Sequence, residues 1–203
     1  MKRAKMDFQP IVRAYDRFLN KDSGDARLVA WRNAKSQERK FAEITRILNG
    51  DATPFTVYDV GCGLANLHDF HRLIERARRR HPDISLECRD ILRSPPRAKY
   101  DYALASGTFN LRLKIRKDRW DAYVRSMLLT FYRIARRGVA VDFLSSFANN
   151  KGATEYHPKP VSSPGVRTAA AVAARRDTAF PITGHFALLV YRSARVLASL
   201  PRE

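Results

Sequence analysis

The chain has 203 residues, 45% of them apolar, which suits one domain with a sizeable core. Lys and Arg number 38 against 20 Asp and Glu, a formal net charge of +18 that either attracts nucleic acid or another polyanion or coats a solvated surface. Two cysteines, Cys62 and Cys88, offer no disulfide framework, and the apolar runs near Ala169–Ala174 and Phe186–Tyr191 are too short to span a bilayer.

The start, Met-Lys-Arg-Ala-Lys-Met-Asp, leads into an amphipathic helix and not into a signal-peptide core. A soluble, cytoplasmic protein with no membrane contact is therefore expected. Pro10 opens that helix, with Ile11, Val12, Tyr15, Phe18 and Leu19 on one face, and Asn20–Gly24 ends it. Trp31 follows, as core or as a lid over a cleft. Ser36 caps a second helix carrying Phe41, Ile44, Ile47 and Leu48, which stops at Asn49-Gly50.

Thr56, Val57 and Tyr58 form a short strand that ends in Asp59-Val60 and turns through Gly61-Cys62-Gly63. From Leu64 or Ala65 the spacing becomes helical, with Leu67, Phe70, Leu73, Ile74 and Ala77 on one face. Strand, glycine turn and helix form the opening unit of a nucleotide-binding α/β domain. The glycines allow positive φ and close approach of a ligand, and the first helical N–H groups point at it. Asn66 stands where a dinucleotide fingerprint wants its third glycine, which disfavours a nicotinamide-dependent oxidoreductase.

The basic end Arg76–Arg80 complements the negative end of that helix, which stops before Pro82. Ile84–Ile91 alternates as a strand, Arg93–Arg97 is a loop, and Tyr100–Gly107 is a buried strand with a small-residue exit. Asp118 caps a long helix with an apolar face of Trp120, Tyr123, Val124, Met127, Leu128, Phe131 and Ile134 or Ala135, closed by Gly138. Val139–Leu144 is another buried strand, Ser145–Pro164 is loop-rich, Val166–Arg175 is a short helix, and Thr178–Ile182 with His185–Arg192 forms an antiparallel hairpin. Strands alternating with helices argue for an α/β fold with a mostly parallel sheet covered on both faces.

Beyond the glycine loop, Glu87–Leu92, Tyr100–Asn110 and Ala135–Ser146, with the Trp31…Phe41 entry and the Phe186…Arg192 ending, stand in order over nearly the whole chain. Together they resemble one branch of the bacterial class I S-adenosylmethionine-dependent methyltransferases. The resemblance implies a Rossmann-like three-layer sandwich with a C-terminal antiparallel hairpin and N-terminal helices. It implies a single methyltransferase-like domain over 1–203, with a helical cap at 1–50 and the core at 51–203. Only Leu64–Asp83 separates the glycine turn from the next strand, so one internal strand–helix unit of that family is absent.

Carried over by position, Asp59, Gly61, Cys62 and Gly63 line the methionine and ribose part of S-adenosyl-L-methionine, and Ala105, Ser106 and Gly107 pass under the sulfonium. Asp90 and Ile91 match the adenine contact, Asp90 being otherwise a helix cap or a surface carboxylate. With one strand fewer, Ile84–Arg89 would pair directly with the first strand, and Glu87 or Asp90 would reach the ribose.

Methyl transfer from a sulfonium is an in-line displacement on an activated carbon, for which the protein aligns the nucleophile and excludes water. Few catalytic residues are obligatory, and none is assigned. An Asp/Asn-Pro-Pro-Tyr motif and a Pro-Cys nucleophile are absent, which argues against two groups of nucleic-acid methylases and leaves O-, N- or S-methylation of an unidentified acceptor, with a small molecule expected and nucleic acid kept open by the charge. Asn110, Tyr156, His157 and His185 are the acceptor-side candidates. His68 and His71 lie one helical turn apart without a third ligand, so no metal is expected. The other reading is a degenerate methyltransferase-like protein that acts through RNA or protein binding. For RNA, the basic stretch Arg112, Lys114, Arg116, Lys117 and Arg119 is the place to look.

Overall fold

Strands covered on both faces carry apolar residues without polar alternation, and three runs in this chain do so. In the computed structural model they become β2 (Tyr100–Ala105), the second half of β3 (Ala135–Leu144) and β5 (His185–Tyr191). β1 (Val57–Asp59) and β4 (Arg175–Ile182) complete a five-stranded sheet of order β1-β2-β3-β5-β4. The structure describes residues 13, 34–48, 53–61, 78, 79, 82–87, 89–149, 151–159, 175–182 and 184–191. β1, β2 and β3 are parallel, whereas β5 runs antiparallel to both β3 and β4.

Side chains alternate across a sheet, and the two faces have different covers. Helix α2 (Lys117–Ile134) buries Trp120, Val124, Met127, Leu128, Phe131 and Ile134 at helical spacing. That stripe packs with Ala103, Ala105, Val139, Val141 and Phe143 of the sheet. On the opposite face, helix α1 (Ala34–Thr45) and a 3-10 turn (Arg46–Leu48) set Ile44 and Ile47 against Tyr102, Leu104, Ala140, Ala187 and Leu189. Helix, sheet and helix give the Rossmann-like three-layer arrangement expected, with an antiparallel C-terminal hairpin.

Asp101 aligns the start of β1. Its Oδ2 accepts from the Thr56 N–H at 2.9 Å and the Thr56 hydroxyl at 3.0 Å, and its Oδ1 lies 3.2 Å from the Arg137 guanidinium. One carboxylate thus ties together the entries of three adjacent parallel strands.

Several boundaries differ from the sequence reading. Ser36 lies inside α1, which starts at Ala34, so it does not cap it. α2 begins at Lys117 with Arg116 at its N-cap position, and Asp118 sits in the first turn, favourable to the helix dipole without capping. Gly138 does not close α2, because β3 already runs from Ala135 and Gly138 pairs with both Tyr102 and Tyr191. A β-carbon on Gly138 would stand 2.7 Å from Ile47 Cδ1 and 3.0 Å from the Val190 carbonyl, so glycine lets the 3-10 turn settle on the sheet.

Residues 84–87, 89 and 90 form no strand, Ile84 is 55% exposed, and β1 is one edge of the sheet as described. Alternation there had no partner strand to register against. The first helix (apart from Arg13), Trp31, Cys62, Gly63, the segment 64–77 with His68 and His71, Cys88 and residues 166–174 of the expected short helix lie outside the described residues.

Candidate functional site

Parallel α/β sheets bind ligands beyond the carboxyl ends of their strands. Here the exits of β1 and β2 are fastened to each other. The Val60 N–H donates to the Leu104 carbonyl at 2.8 Å, and the Thr108 hydroxyl donates to the Val60 carbonyl at 2.9 Å. Gly61 follows with φ +71°, a conformation that L side chains rarely adopt. Its missing β-carbon would lie 2.6 Å from Thr108 Oγ1, so the two turns touch where only glycine fits.

Asp59 is exposed at the end of β1, yet enough protein surrounds its carboxyl that desolvation raises it to about 6. Ala105 is fully buried at the end of β2. Gly107, at φ +70°, gives its N–H to Asp142 Oδ1 at 2.5 Å. The Ser106 hydroxyl is buried and lies close enough to Asp142 to help stabilise that carboxylate.

A third loop reaches the same end of the sheet. Ile91 is buried in one cluster with Val60 and Ala105. Asp90 is exposed, and its Oδ1 accepts from the Leu92 N–H at 3.1 Å while Oδ2 lies 3.4 Å from Arg93. Its carboxylate therefore organises the turn that buries Ile91. Glu87 is exposed and ion-paired with Arg89 at 2.6 Å. With no strand there, it does not occupy the strand-end position beside β1 on which its ribose role depended.

The acceptor-side candidates divide. Asn110 Oδ1 accepts from the Leu144 N–H at 3.2 Å and its carbonyl from the Tyr156 N–H at 2.8 Å, which joins the loop after β2 to β3 and to residues 151–159. The Tyr156 hydroxyl donates to Asp121 at 2.6 Å, and burial raises it far above the ordinary phenol range. His157 Nδ1 meets the Ser145 carbonyl at 2.9 Å and Nε2 meets Glu155 at 2.8 Å, so both ring nitrogens are engaged by acceptors. His185 is buried at the start of β5, its Nε2 has no hydrogen-bond partner among the described residues, and desolvation with help from Lys40 lowers it to about 4.

Lys40 and Asp142 form an ion pair at 3.8 Å with side chains 8% and 1% exposed. Burial lowers the lysine and raises the aspartate, while each charge partly restores the other. No site role was assigned to either residue from the sequence. The signal was present in two places: Lys40 stands at helical spacing from Ile44 and Ile47, and Asp142 interrupts the apolar run Val139–Leu144.

The basic stretch is largely committed locally. Arg112 donates to the carbonyls of Ile115 and Ala153, Arg116 pairs with Asp118, and Lys117 pairs with Asp121 at 2.7 Å. Among the described residues no group of His, Cys, Asp and Glu is arranged to hold a metal, and no helix is long and apolar enough to cross a membrane.

No family model matches the chain. The protein of Mycobacterium tuberculosis (strain ATCC 25618 / H37Rv) named "Putative methyltransferase Rv1506c" is 32% identical over 121 residues, covering 51% of this chain and 71% of that protein. Among solved structures, magnesium protoporphyrin IX methyltransferase (ChlM) from Synechocystis PCC 6803 with bound S-adenosylmethionine aligns with TM-score 0.55 at 16% identity, covering 95% of this chain and 100% of that one. The N-methyltransferase NodS from Bradyrhizobium japonicum WM9, in complex with S-adenosyl-L-homocysteine, aligns with TM-score 0.55 at 14% identity over 89% and 97% of the two chains. A methyltransferase relative at that identity and coverage, on a chain whose β1 and β2 turns meet at a glycine, decides the matter: this chain belongs to the class I S-adenosylmethionine-dependent methyltransferases.

Proposed function

We propose that the chain transfers the methyl group of S-adenosylmethionine to an oxygen, nitrogen or sulfur of a small-molecule acceptor. The observation that carries this reading is the fastened pair of turns at the carboxyl ends of β1 and β2, with Gly61 at positive φ against Thr108. At Gly61 itself a ligand would meet backbone, since the position carries no side chain. Asp59 beside it offers an acceptor for the hydroxyl or ammonium groups of the cofactor. These features fit the cofactor, and Cys62 and Gly63 would continue the same loop.

Bound there, S-adenosylmethionine supplies a methyl carbon already activated by its sulfonium. The residues of the chain then have three tasks. Asp59 and the Gly61 turn hold the polar part of the cofactor. Ser106 and Gly107 shape the wall beside the reacting carbon, and Asp90 folds the loop that brings Ile91 to the adenine side. Alignment and exclusion of water account for the rate without a dedicated acid or base. The small-molecule acceptor is favoured over RNA because Arg112, Arg116 and Lys117 are already engaged within the chain.

Calorimetry with S-adenosylmethionine, S-adenosylhomocysteine and NAD tests the reading. Binding of both sulfur compounds and not of NAD is expected, and no binding of either at millimolar concentration would defeat it.

Asp59 adds a pH signature. A carboxyl raised to about 6 favours the protonated, ligand-free protein, so this group's contribution to stability declines as pH rises through about 6. A ligand that donates to the carboxylate binds the ionised form. S-adenosylhomocysteine affinity should therefore rise between pH 5 and 7, roughly tenfold per pH unit at most, and level off above. Asp59→Asn should flatten that profile. A profile identical in the two proteins would remove Asp59 from the site.

A further inference from the structure

The sheet layer under α1 changes character toward the carboxyl ends of the strands. Ile44, Ile47, Leu104, Ala140, Ala187 and Leu189 form its apolar part. One step further along β3 and β5 the same face carries Asp142 and His185, and α1 lays Lys40 over them. A charge pair buried at a helix–sheet contact is an expensive choice, because well-packed apolar residues usually stabilise as well. Its geometry shows what it does. Asp142 Oδ1 is turned to the Gly107 N–H at 2.5 Å, whereas Oδ2 faces Lys40 Nζ at 3.8 Å.

We infer that Asp142, clamped from α1 by Lys40, is the residue that positions the Ser106–Gly107 turn for the methyl donor. It is a positioning residue and touches neither cofactor nor acceptor. Gly107 leaves β2 at φ +70°, and its N–H has no strand partner. An acceptor with an ionised oxygen orients that peptide more firmly than a neutral carbonyl does. The same turn carries Thr108, whose hydroxyl holds the Val60 carbonyl at the base of the Gly61 loop. The chain of contacts therefore runs from α1 through Lys40, Asp142, Gly107 and Thr108 to Val60. It couples the N-terminal helix to both cofactor turns at once.

Among the described residues, three charged or titratable groups bear on the acid. Lys40 approaches it from α1, and Glu155 and His185 lie within the field of that lysine from the 151–159 segment and β5. His185 is neutral above its lowered value of about 4, so around neutral pH the charge that answers Asp142 is Lys40.

This inference rests on the cofactor reading above, and the experiment keeps the two apart. Calorimetry with S-adenosylhomocysteine is run on the full chain and on Asp142→Ala, Asp142→Asn, Lys40→Met and Ile44→Ala, each with a thermal melt. Asp142→Ala orphans the Gly107 N–H and should weaken binding by about tenfold or more. Asp142→Asn keeps an oxygen for that N–H and should recover most of the affinity. Lys40→Met keeps the apolar stem and removes the clamp, so its affinity should lie between those two. Ile44→Ala leaves a cavity in the same layer but away from the turn, and should lower the melting temperature without changing affinity.

If the unaltered chain does not bind S-adenosylhomocysteine, the cofactor reading itself fails. If it binds, and affinity in the variants simply follows melting temperature or is unchanged in Asp142→Ala, the positioning role is overturned and the pair is structural only. Should Asp142→Ala not fold, Lys40→Met against Ile44→Ala decides the same question.

Discussion

Phe143→Ala is expected to destabilise the chain by about 3–5 kcal/mol, the usual cost of emptying a fully buried aromatic site. Phe143 has no exposed surface, and it stacks on Phe109 at 5.8 Å and on Phe186 at 5.4 Å, with Tyr156 edge-on at 6.4 Å. Those rings come from the loop after β2, from β5 and from the 151–159 segment, so the cavity would open where three separately arriving pieces of chain meet. A domain with a total stability of about 5–15 kcal/mol loses a large share of it at this one position. A urea titration should show a markedly lower midpoint with an unchanged slope. A midpoint close to that of the unaltered protein would mean that the aromatic cluster can collapse around the missing ring.

Gly61→Ala is expected to act on binding more than on stability. The φ of +71° costs an L-residue about 1–2 kcal/mol, and the new methyl would lie 2.6 Å from Thr108 Oγ1 and 2.8 Å from its Cγ2. Thr108 cannot simply swing aside, because its hydroxyl holds the Val60 carbonyl at 2.9 Å. The strain would displace the glycine loop, and S-adenosylhomocysteine affinity should fall by about tenfold or more. Adding Thr108→Ala removes the two closest clashing atoms and with them the tether to Val60, so the double variant should regain part of the affinity and no more. Unchanged affinity in Gly61→Ala would show that this turn does not border the cofactor.

Much of the frame was legible because it depends on local pattern. β2 from Tyr102 and β5 from Phe186 were readable as apolar runs, since both faces of each are covered there and polar alternation does not survive. The α2 stripe from Trp120 to Ile134 was readable because one face of a helix must repeat every three or four residues. The glycine at position 61, just after β1, was readable because close backbone approach restricts the residue types that fit.

Other features were not open to that kind of reading. Alternation at Ile84–Ile91 is a property of the segment, but a strand is a property of a pair, and no described strand accepts it. Ala135–Gly138 follow a helix with no local mark of the change, and β2 on one side and β5 on the other draw them into the sheet. Gly138 looked like a helix stop and is instead a gap that the Ile47 side chain fills.

The sequence by itself determined the strands β1, β2 and β5, the apolar faces of α1 and α2 that had to be buried, and the glycine that follows β1. Each follows from periodicity or from the backbone freedom of a single residue. The tertiary structure alone decided that Lys40 faces Asp142, that Asp142 holds Gly107, and that Thr108 closes the Gly61 turn. Those partners are far apart in the chain, and burial in a medium of low dielectric makes the pairing of each matter only after the layers have closed.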